Sequence, residues 1–439
     1  MSEVLKVGIA GLGTVGSAVI NILQQKQEEL SRECGRKIEV VGVSARNRSR
    51  DRGIDLSAIE WFDSPVELAA SDKIDVYVEL MGGEEGSARH SVEAALKKGH
   101  HVVTANKALL ARHGIELAQI AESKGALLNY EAAVAGGIPV IKVMREALSA
   151  NKITRVYGIL NGTCNYILTK MENEGISFSQ CLANAQALGY AEADPTFDIE
   201  GNDTAHKLSL LTRLAFGCVT SVNNIYLEGI SNISLADIHA AKELGYRIKL
   251  LGVAVKTESG IEQRVHPTMV PISSVIAQVQ NVTNAVSIQT DLLGEIILSG
   301  PGAGGAATAS AVIADITDIA KSTPGFQYGP VFGTPARDLI PYKKAKMRSH
   351  AGGYFIRLSV HDKTGVFAAV AKRMAQNNIS LESIVQRPMS EELHPGTKTI
   401  ILITHETTES FVRTALEAIT KDGNLVDKPQ MIRIERPAS

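Results

Sequence analysis

The chain has 439 residues, 44% of them hydrophobic and 21% charged, and its net charge is -2. Its length exceeds one ordinary core and predicts two or three globular domains, while the near-zero charge gives no reason to expect nucleic acid or an acidic membrane as a partner. Four dispersed cysteines without a CxxC pair, no export segment and no apolar run of about 18 residues predict a soluble cytoplasmic protein without disulfides, structural zinc or a membrane span.

Over residues 1–135, short apolar runs alternate with segments of helical periodicity. Such alternation forms βαβ units, which build a parallel sheet covered by helices on both faces. The predicted strands are Val7–Ala10, Ile38–Val43, Ile74–Leu80, His101–Thr104 and Ala126–Tyr130. The predicted helices include Val15–Leu30, Ser87–Lys98 and Ile115–Lys124. This part is therefore predicted to be an α/β domain of the Rossmann type that binds a nucleotide.

The pattern changes beyond about residue 150. Helical segments cluster from Asn165 to Phe216, and strand-like runs follow at Ile248–Val255, Ile261–Val270, Ala285–Thr290 and Glu295–Leu298. Segregated helices and strands predict an α+β domain for substrate binding and dimerisation over residues 136–302. The glycine-rich stretch Pro301–Gly305 then opens a helix at Ala306–Lys321, and residues 303–340 are predicted to return to the nucleotide domain.

Residues 353–439 carry a pattern of their own behind a proline-rich linker at 322–352. The predicted order is strand, helix, strand, strand, helix, strand, at Phe355–His361, Gly365–Asn377, Ile379–Arg387, Thr397–Thr404, Ser410–Thr420 and Gln430–Glu435. Val366, Val370 and Met374 fall on one face of the first helix, which needs a sheet to cover it. This βαββαβ order predicts a ferredoxin-like domain.

The sequence Gly11-Leu12-Gly13-Thr14-Val15-Gly16 follows the first predicted strand and opens the first predicted helix. In this context the first glycine allows a tight turn, the second lets the backbone approach a pyrophosphate, and the third lets helix and strand pack closely. The helix N-terminus adds N–H donors and a partial positive charge. The segment is therefore predicted to bind a dinucleotide, and the alternative is a glycine turn without a ligand.

An arginine-rich loop follows the second predicted strand, where enzymes specific for NAD usually carry an acidic residue for the ribose 2′-hydroxyl. No carboxylate occurs there before Asp51, whereas Arg46 and Arg48 offer guanidinium groups that fit a 2′-phosphate. The loop therefore predicts NADP as the cofactor and leaves use of NAD open. A solvated basic loop is the alternative.

Three further segments carry residues suited to catalysis. Thr104-Ala105-Asn106-Lys107 follows a predicted strand at the edge where open α/β sheets bind ligands. Gly189–Pro195 is an acidic loop, and Asp203 and Lys207 lie four residues apart, on one face of a predicted helix. By itself such a pair is usually a surface ion pair worth roughly 0.3–0.5 kcal/mol.

These segments belong to a resemblance that extends over nearly the whole chain. Its motifs are GLGTVG at 11–16, TANKALLA at 104–111, EAAVAGGIPV at 131–140, NGTCNYIL at 161–168, GYAEADPTFDIEGNDTAHKLSLL at 189–211 and PGAGGAATASAV at 301–312. Together they resemble the monofunctional homoserine dehydrogenase family, and the long motif at 189–211 is highly specific. The block 353–439 resembles the ACT domain, an amino-acid-sensing module appended to bacterial members.

The resemblance implies interconversion of L-aspartate 4-semialdehyde and L-homoserine, a step of threonine, methionine and isoleucine biosynthesis. It implies that Lys207 is the catalytic proton donor, that Glu192 and Asp203 hold the substrate, and that Lys107 acts near the nicotinamide and the substrate. An alkoxide formed on the substrate needs a positioned acid and positive charge, which a lysine supplies. Asp203, one turn away, is expected to orient Lys207.

The resemblance also implies ligands other than the substrate. The expected cofactor contacts beyond the glycine motif are Thr104, Lys107, Gly189 and Gly304. A monovalent cation, sodium, is expected to bind through oxygen atoms, which are its preferred ligands. The residues of this site are Glu131, Val134, Gly136 and Ile138. L-threonine is the expected effector of the block 353–439, and the expected assembly is a homodimer or homotetramer.

Two alternatives stay open on the sequence. Cys164 is suited to act as a thiolate nucleophile, as in phosphorylating semialdehyde dehydrogenases, although burial as a small apolar residue is the commoner fate of a free cysteine. A sensor that binds NADP and an amino acid without catalysis is the other alternative. His206 is expected to pack rather than react.

Overall fold

The computed structural model describes residues 4–322, 329–345, 351–388 and 396–435. Residues 323–328 and 346–350 of the predicted linker and residues 389–395 and 436–439 of the predicted C-terminal block lie outside the described residues. Within these ranges the chain forms a parallel sheet with helices on both faces, a part built on a mixed sheet, and a βαββαβ part. The predicted fold class is confirmed.

The N-terminal part contains β1 (Leu5–Ala10), α1 (Thr14–Gln25), α2 (Gln27–Cys34), β2 (Ile38–Ser44), β3 (Glu60–Trp61), α3 (Pro65–Ala69), β4 (Val76–Glu79), α4 (Ser87–Lys98), β5 (His101–Thr104), α5 (Lys107–Lys124) and β6 (Leu128–Asn129). In the described residues its strands form a parallel sheet in the order β3-β2-β1-β4-β5-β6. Val7 and Ile9 on β1 and Val76 and Val78 on β4 are fully buried, because helices cover both faces of the sheet.

The predicted helix Val15–Leu30 is instead two helices, α1 and α2, which meet at Lys26. α1 packs on the sheet through its apolar face, which includes the buried residues Val19, Ile20 and Leu23. α2 buries none of its residues, because its sequence QEELSREC is almost entirely polar. The helical period therefore continues past Lys26, whereas the packing that stabilises α1 does not.

The middle part contains α6 (Val140–Lys142), β7 (Ile153–Ile159), α7 (Gly162–Glu174), α8 (Phe178–Ala187), α9 (Thr196–Ile199), α10 (Asn202–Phe216), β8 (Tyr226–Leu227), α11 (Leu235–Glu243), β9 (Tyr246–Thr257), β10 (Gly260–Pro271), β11 (Thr283–Thr290), β12 (Gly294–Pro301) and α12 (Gly305–Lys321). The sequence analysis missed β7, since Arg155 and Gly158 interrupt its apolar pattern. α12 lies against α1, and a Cβ atom at Gly305 would be 3.1 Å from Thr14 Cγ2.

The C-terminal part contains β13 (Ala351–His361), α13 (Val366–Gln376), β14 (Leu381–Pro388), β15 (Thr397–Thr404), β16 (Thr407–Thr408), α14 (Glu409–Lys421) and β17 (Gln430–Ile434). Among the described residues, one sheet in the order β12-β11-β7-β9-β10-β17-β13-β15-β14 joins it to the middle part. The junction is a short parallel pairing, with Thr268 opposite Arg433 and Met269 opposite Ile434. The described strands of residues 353–439, which follow a proline-rich linker in the sequence, therefore share one sheet with the middle part.

Ion pairs reinforce this junction. Arg357 on β13 lies with Nε 2.6 Å from the Asp237 Oδ1 atom of α11. Arg433 on β17 lies with Nη1 3.2 Å from the Oε2 atom of Glu228, which belongs to the middle part. Its Nη2 atom lies 2.7 Å from Oε1 of Glu409 in the C-terminal part. In the described part of the chain, no helix is long and apolar enough to cross a bilayer.

Candidate active site

The glycine motif forms a tight turn between β1 and α1. Gly11 has a φ of +97°, and a Cβ atom there would lie 2.3 Å from the Leu80 carbonyl oxygen. A Cβ atom at Gly16 would lie 2.0 Å from the Gly11 carbonyl oxygen, whereas one at Gly13 would meet nothing within 4 Å. Gly13 thus keeps open space before the α1 N-terminus, which has no side-chain cap and offers its N–H groups to a phosphate.

A cavity of about 750 Å³ opens beside this turn and offers room for the adenosine half of a dinucleotide. Arg46 and Arg48 line it and are exposed. Arg52 donates from Nε to the Leu12 carbonyl oxygen at 3.1 Å and from Nη1 to the Arg50 carbonyl oxygen at 2.7 Å. Arg52 therefore attaches the arginine loop to the glycine turn.

A second cavity, of about 700 Å³, lies between the N-terminal and middle parts. Its wall contains Lys107 from the start of α5 and Asp203 and Lys207 from α10. Each Asp203 carboxylate oxygen contacts one lysine, since Lys107 Nζ lies 3.1 Å from Oδ1 and Lys207 Nζ lies 2.7 Å from Oδ2. Lys207 Nζ also donates to the Leu160 carbonyl oxygen at 2.7 Å, which leaves its third hydrogen for a ligand.

The charges of this cluster depend on one another. Burial opposes ionisation of the Asp203 carboxyl group, but the Lys207 and Lys107 ammonium groups and the hydrogen bonds hold its pKa well below the usual range. Asn161 Nδ2 donates to Asp203 Oδ2 and to Asp198 Oδ1, at 2.9 Å each. Burial, together with the nearby Asp203 charge, raises the pKa of Asp198. The cluster therefore combines an ionised carboxylate between two cations with a second carboxyl group that protonates more readily.

Two local features place α10 and its lysine. Asn161 follows β7, and its Oδ1 atom accepts the Cys164 N–H at 2.8 Å, which caps α7 and fixes the preceding Leu160 carbonyl group. On β9, a Cβ atom at Gly252 would lie 3.0 Å from Thr204 Cγ2, so glycine is needed for α10 to pack this closely on the strand. The lysine of α10 is thereby held beside Leu160, at the C-terminal end of β7.

The structure brings only part of the predicted site together. Predicted residues that line the second cavity, besides the lysines and Asp203, are Val15, Val134, Gly136, Gly189 and Gly304. Glu192 is exposed and lies outside the cavity wall formed by the described residues, although Tyr190, two residues earlier, belongs to it. Thr104 is fully buried, and its hydroxyl group donates to Glu79 Oε2 at 2.6 Å. Thr104, predicted as a cofactor contact, therefore lies behind the walls that the described residues form around the two cavities.

The predicted cation loop lies beside this cavity. Both Glu131 carboxylate oxygens accept backbone N–H groups, from Ile141 at 2.8 Å and Lys142 at 2.9 Å. The Ile138 carbonyl oxygen accepts the Val140 N–H at 2.8 Å. The searched, described residues contain no group of three or more metal-ligating His, Cys, Asp or Glu side chains. An ion at this loop would therefore be bound mainly by backbone carbonyl oxygens.

Cys164 and His206 lie near the cluster without the properties of catalytic groups. Cys164 is fully buried, and burial raises the pKa of its thiol well above the usual value. A thiol that stays protonated and out of reach is not a nucleophile, which argues against a covalent mechanism through Cys164. His206 packs edge-on against Phe197, with ring centroids 5.4 Å apart.

Sequence reasoning did not select Asp198, Asn161 or Arg52. Asp198 lies within the motif at 189–211, but nothing in that motif tells which of its acidic residues faces the cavity. Asn161 precedes a predicted helix, and its type is a usual helix N-cap, which is the one signal that was available. Arg52 belongs to a run of four arginines whose individual contacts depend on the fold of the loop.

Comparisons with known proteins agree with this geometry. The family model for homoserine dehydrogenase matches residues 139–317, the model for its NAD binding domain matches 11–131, and the ACT domain model matches 354–424. A homoserine dehydrogenase of Neisseria gonorrhoeae is 43% identical over 98% of each chain. A crystal structure of a homoserine dehydrogenase from Thiobacillus denitrificans has a TM-score of 0.92 and 41% identity, over 99% of each chain.

A more distant structure is that of a hyperthermophilic archaeal homoserine dehydrogenase in complex with NADPH. Its TM-score is 0.63 at 29% identity, and the match covers 74% of this chain and 99% of that one. The family matches span both the nucleotide turn and the lysine–aspartate cluster, and the relatives match this chain over almost its full length. The chain therefore belongs to the homoserine dehydrogenase family.

Proposed function

We propose that the chain interconverts L-homoserine and L-aspartate 4-semialdehyde with NADP as its redox partner. The observation that carries this proposal is the pair of lysines, Lys207 and Lys107, held on the Asp203 carboxylate in a cavity adjoining the nucleotide turn. An alcohol–aldehyde oxidoreductase needs a proton donor and positive charge at the substrate oxygen. This cavity offers both beside the nucleotide site.

The nicotinamide, when bound, accepts the hydride in homoserine oxidation and donates it in semialdehyde reduction. The residues of the chain act at the substrate oxygen. In reduction, the Lys207 ammonium group donates its third hydrogen to the alkoxide oxygen. In oxidation, the neutral Lys207 amine, which keeps its hydrogen bonds to Leu160 and Asp203, accepts the proton of the hydroxyl group through its lone pair and becomes the ammonium group. Lys107 adds a second positive charge that stabilises the oxyanion, and Asp203 keeps both side chains in place.

The substrate ammonium group requires a carboxylate. Asp198 lines the cavity and accepts a hydrogen bond from Asn161, and none of the described lysines pairs with it directly, so it is placed to bind this group. Glu192, for which the family resemblance implies the same role, is exposed and follows Tyr190 of the cavity wall, so it is proposed as a second contact of the ammonium group. An unchanged KM for homoserine in Glu192→Gln would remove Glu192 from the site.

The function is tested by adding L-homoserine and NADP+ to the purified chain and following NADPH formation. Turnover without added phosphate and without sensitivity to thiol reagents supports the proposal. A requirement for phosphate would favour a phosphorylating semialdehyde dehydrogenase, and binding of NADPH without turnover would favour a sensor. The same preparation gives the assembly by light scattering, where a homodimer or homotetramer is expected.

Arg46 and Arg48 are expected to select NADP. Replacing both with alanine should weaken NADPH binding by about tenfold to a hundredfold, because charge-assisted hydrogen bonds to the 2′-phosphate are lost. NADH binding should change little. Arg52→Ala is the matched control, since Arg52 holds the loop to the Leu12 carbonyl group and its loss should weaken both cofactors alike. Equal losses in the Arg46 and Arg48 double variant would contradict the 2′-phosphate contact.

The loop from Glu131 to Ile138 is proposed to bind a monovalent cation, sodium. Carbonyl oxygens of Val134 and Gly136, which line the second cavity, are the hard ligands that such an ion prefers. The Glu131 carboxylate accepts two backbone N–H groups and keeps further lone pairs, so it can contribute a ligand together with the backbone carbonyl oxygens. Turnover that is the same in sodium and in choline salts would exclude the ion.

L-threonine is proposed to inhibit the enzyme through the ACT domain. α13 begins after Gly365, which has a φ of +90° and provides no side-chain cap. The Val366 N–H donates to the Lys363 carbonyl oxygen at 3.3 Å, and the N–H groups that follow in the first turn can face a carboxylate. The shared pairing of β10 and β17 connects this domain to the sheet on which α10 packs. Inhibition requires that threonine bind two states of the enzyme unequally.

Gly365→Asp places a carboxylate at that helix N-terminus and should raise the inhibitory concentration of threonine at least tenfold. Gly423→Asp is the matched control, because Gly423 also has a positive φ, +70°, and open space, but follows a helix instead of preceding one. Removal of the whole ACT domain is unsuitable as a test, because it would also remove β17 and leave the backbone of β10 without the strand that pairs with it. Inhibition that homoserine overcomes, or that is equal in both variants, would contradict regulation through this site.

A further inference from the structure

Glu79, the last residue of β4, is a fully buried acid for which the proposed mechanism has no role. It is paired in register with Ala10 on β1 and Thr104 on β5. In the described residues its carboxylate has no cationic partner, and its contacts are hydrogen bonds. A buried carboxylate without a cation costs free energy, and a glutamine of the same shape would cost less. The acid at this position therefore needs an explanation.

The hydrogen bonds of Glu79 require an acceptor at both oxygens. Oε1 accepts the Met81 N–H at 2.7 Å, and Oε2 accepts the Thr104 hydroxyl group at 2.6 Å. Thr104 Oγ1 in turn accepts the Asn106 N–H at 3.0 Å. Backbone N–H groups only donate, so the Thr104 hydrogen points to Glu79. A carboxylate satisfies this chain at both oxygens, whereas a carboxylic acid or an amide places a donor on one side, facing either the Thr104 hydroxyl group or the Met81 N–H.

The two bonded loops lie side by side at the cofactor cleft, since Asn106 Nδ2 donates to the Gly83 carbonyl oxygen at 2.7 Å. Met81 lines both cavities, and a Cβ atom at Gly11 would lie 3.0 Å from the Met81 nitrogen, so this loop supports the glycine turn. In the other loop, Asn106 Oδ1 accepts the Leu109 N–H at 3.1 Å and caps α5. The first residue of α5 is Lys107, which pairs with Asp203. Glu79 thus joins the nucleotide turn to the lysine of the catalytic cluster.

We propose that ionised Glu79 is a positioning residue that fixes the two adjacent loops beside which the nicotinamide cofactor binds, acting through Met81 and Thr104. The inference rests on the proposed function, since it concerns the same cleft. Glu79 lines neither cavity. Its influence on the cofactor therefore passes through the loops, and on turnover through Lys107.

Protonation of Glu79 should weaken this arrangement in the neutral pH range. Burial raises the pKa of Glu79 to about 7, against the hydrogen bonds from Thr104 and Met81, which lower it. Tyr77 on the same strand is the titratable group that its charge reaches, and the facing groups from β1, β5 and the loops are uncharged. Cofactor affinity should fall as the pH decreases through about 7, because the added proton places a donor at one of two oxygens that both face donors, Met81 N–H and the Thr104 hydroxyl group.

The test measures dissociation constants of NADH and NADPH by fluorescence for the full chain and for Glu79→Gln, from about pH 6 to about pH 8.5. NADH is included because the 2′-phosphate of NADPH titrates in the same range. We expect Glu79→Gln to bind NADH about tenfold or more weakly at pH 8, with little dependence on pH, whereas the parent loses affinity in acid. Tyr77→Phe, equally buried on the same strand, should behave as the parent does.

A second pair of variants tests the link through Thr104. Thr104→Val should weaken NADH binding as much as Glu79→Gln does, whereas Thr104→Ser, which keeps the hydroxyl group, should bind NADH as tightly as the parent. The double variant Glu79→Gln/Thr104→Val should bind NADH no more weakly than either single variant. Parent-like affinity and pH dependence in Glu79→Gln, or additive losses in the double variant, would overturn the proposal. A chain that shows these binding effects but does not oxidise homoserine would contradict the proposed function and leave the role of Glu79 intact.

Discussion

Lys207→Ala is expected to lower kcat for homoserine oxidation by about 10²–10⁴-fold with the fold intact, the usual contribution of general acid–base catalysis. Lys207 Nζ is held by the Leu160 carbonyl oxygen and Asp203, each at 2.7 Å, with one hydrogen left for the substrate oxygen. The Lys107 ammonium group lies on the other side of Asp203 and cannot replace it without moving. Steady-state kinetics with saturating cofactor measure the effect.

Two controls separate chemistry from packing. Lys207→Met keeps most of the side-chain volume and should lose as much kcat as the alanine variant. Lys97→Ala removes a lysine at the same i,i+4 spacing, from an exposed pair with Glu93 at 2.9 Å, and should retain parent-like kcat. A small primary amine should restore part of the turnover of Lys207→Ala only. Near-normal kcat in a folded Lys207→Met enzyme would remove Lys207 from the mechanism.

The cofactor turn could be predicted from sequence because its constraints are local. The geometry at each glycine is compatible with the role that its spacing predicted: Gly11 allows a turn that is closed to a Cβ atom, Gly13 faces open space, and Gly16 packs against the Gly11 carbonyl group. These contacts join residues that are close in the chain, or a turn and the strand beside it. The break between α1 and α2 at Lys26 was not predicted, because it depends on which residues pack against the core: α1 has buried residues, whereas α2 has none.

The contacts of the catalytic cluster join distant parts of the chain, and spacing does not determine them. The four-residue spacing placed Asp203 and Lys207 together, but Lys107 reaches the second Asp203 oxygen only because α5 and α10 pack against each other. Likewise, Glu192 and Asp198 belong to the same sequence motif, but only the fold shows that Asp198 lines the cavity and that Glu192 is exposed. Burial of Cys164, which argues against the thiolate hypothesis, also required the fold.

Asp203→Asn is expected to lower kcat/KM by about a hundredfold and to destabilise the enzyme by about 1–3 kcal/mol. Removing one partner of a buried ion pair leaves the other charge without compensation and usually costs about 3–5 kcal/mol. The expected loss of stability is smaller here, because both lysines are partly exposed to solvent. The amide can still accept a hydrogen bond from one lysine, but it provides no charge to keep two ammonium groups together. Kinetics and thermal unfolding measure the two effects.

The pH dependence of this stability difference follows from the sign of the Asp203 pKa shift. Although burial opposes ionisation, the lysines hold the folded-state pKa below the unfolded value of about 3.9, so the carboxylate stabilises the fold above that pH and loses its contribution as the pH falls through the folded-state pKa. The stability difference between the parent and Asp203→Asn should therefore be constant from about pH 6 to about pH 8 and decrease only in strong acid.

Asp198→Asn is the matched control. It removes a neighbouring carboxyl group that also accepts a hydrogen bond from Asn161, but it leaves both lysines paired with Asp203. Its kcat should therefore exceed that of Asp203→Asn. Equal kcat in the two variants, or a stability difference that disappears near neutral pH, would contradict the assignment of Asp203 as the anion that holds the two lysines.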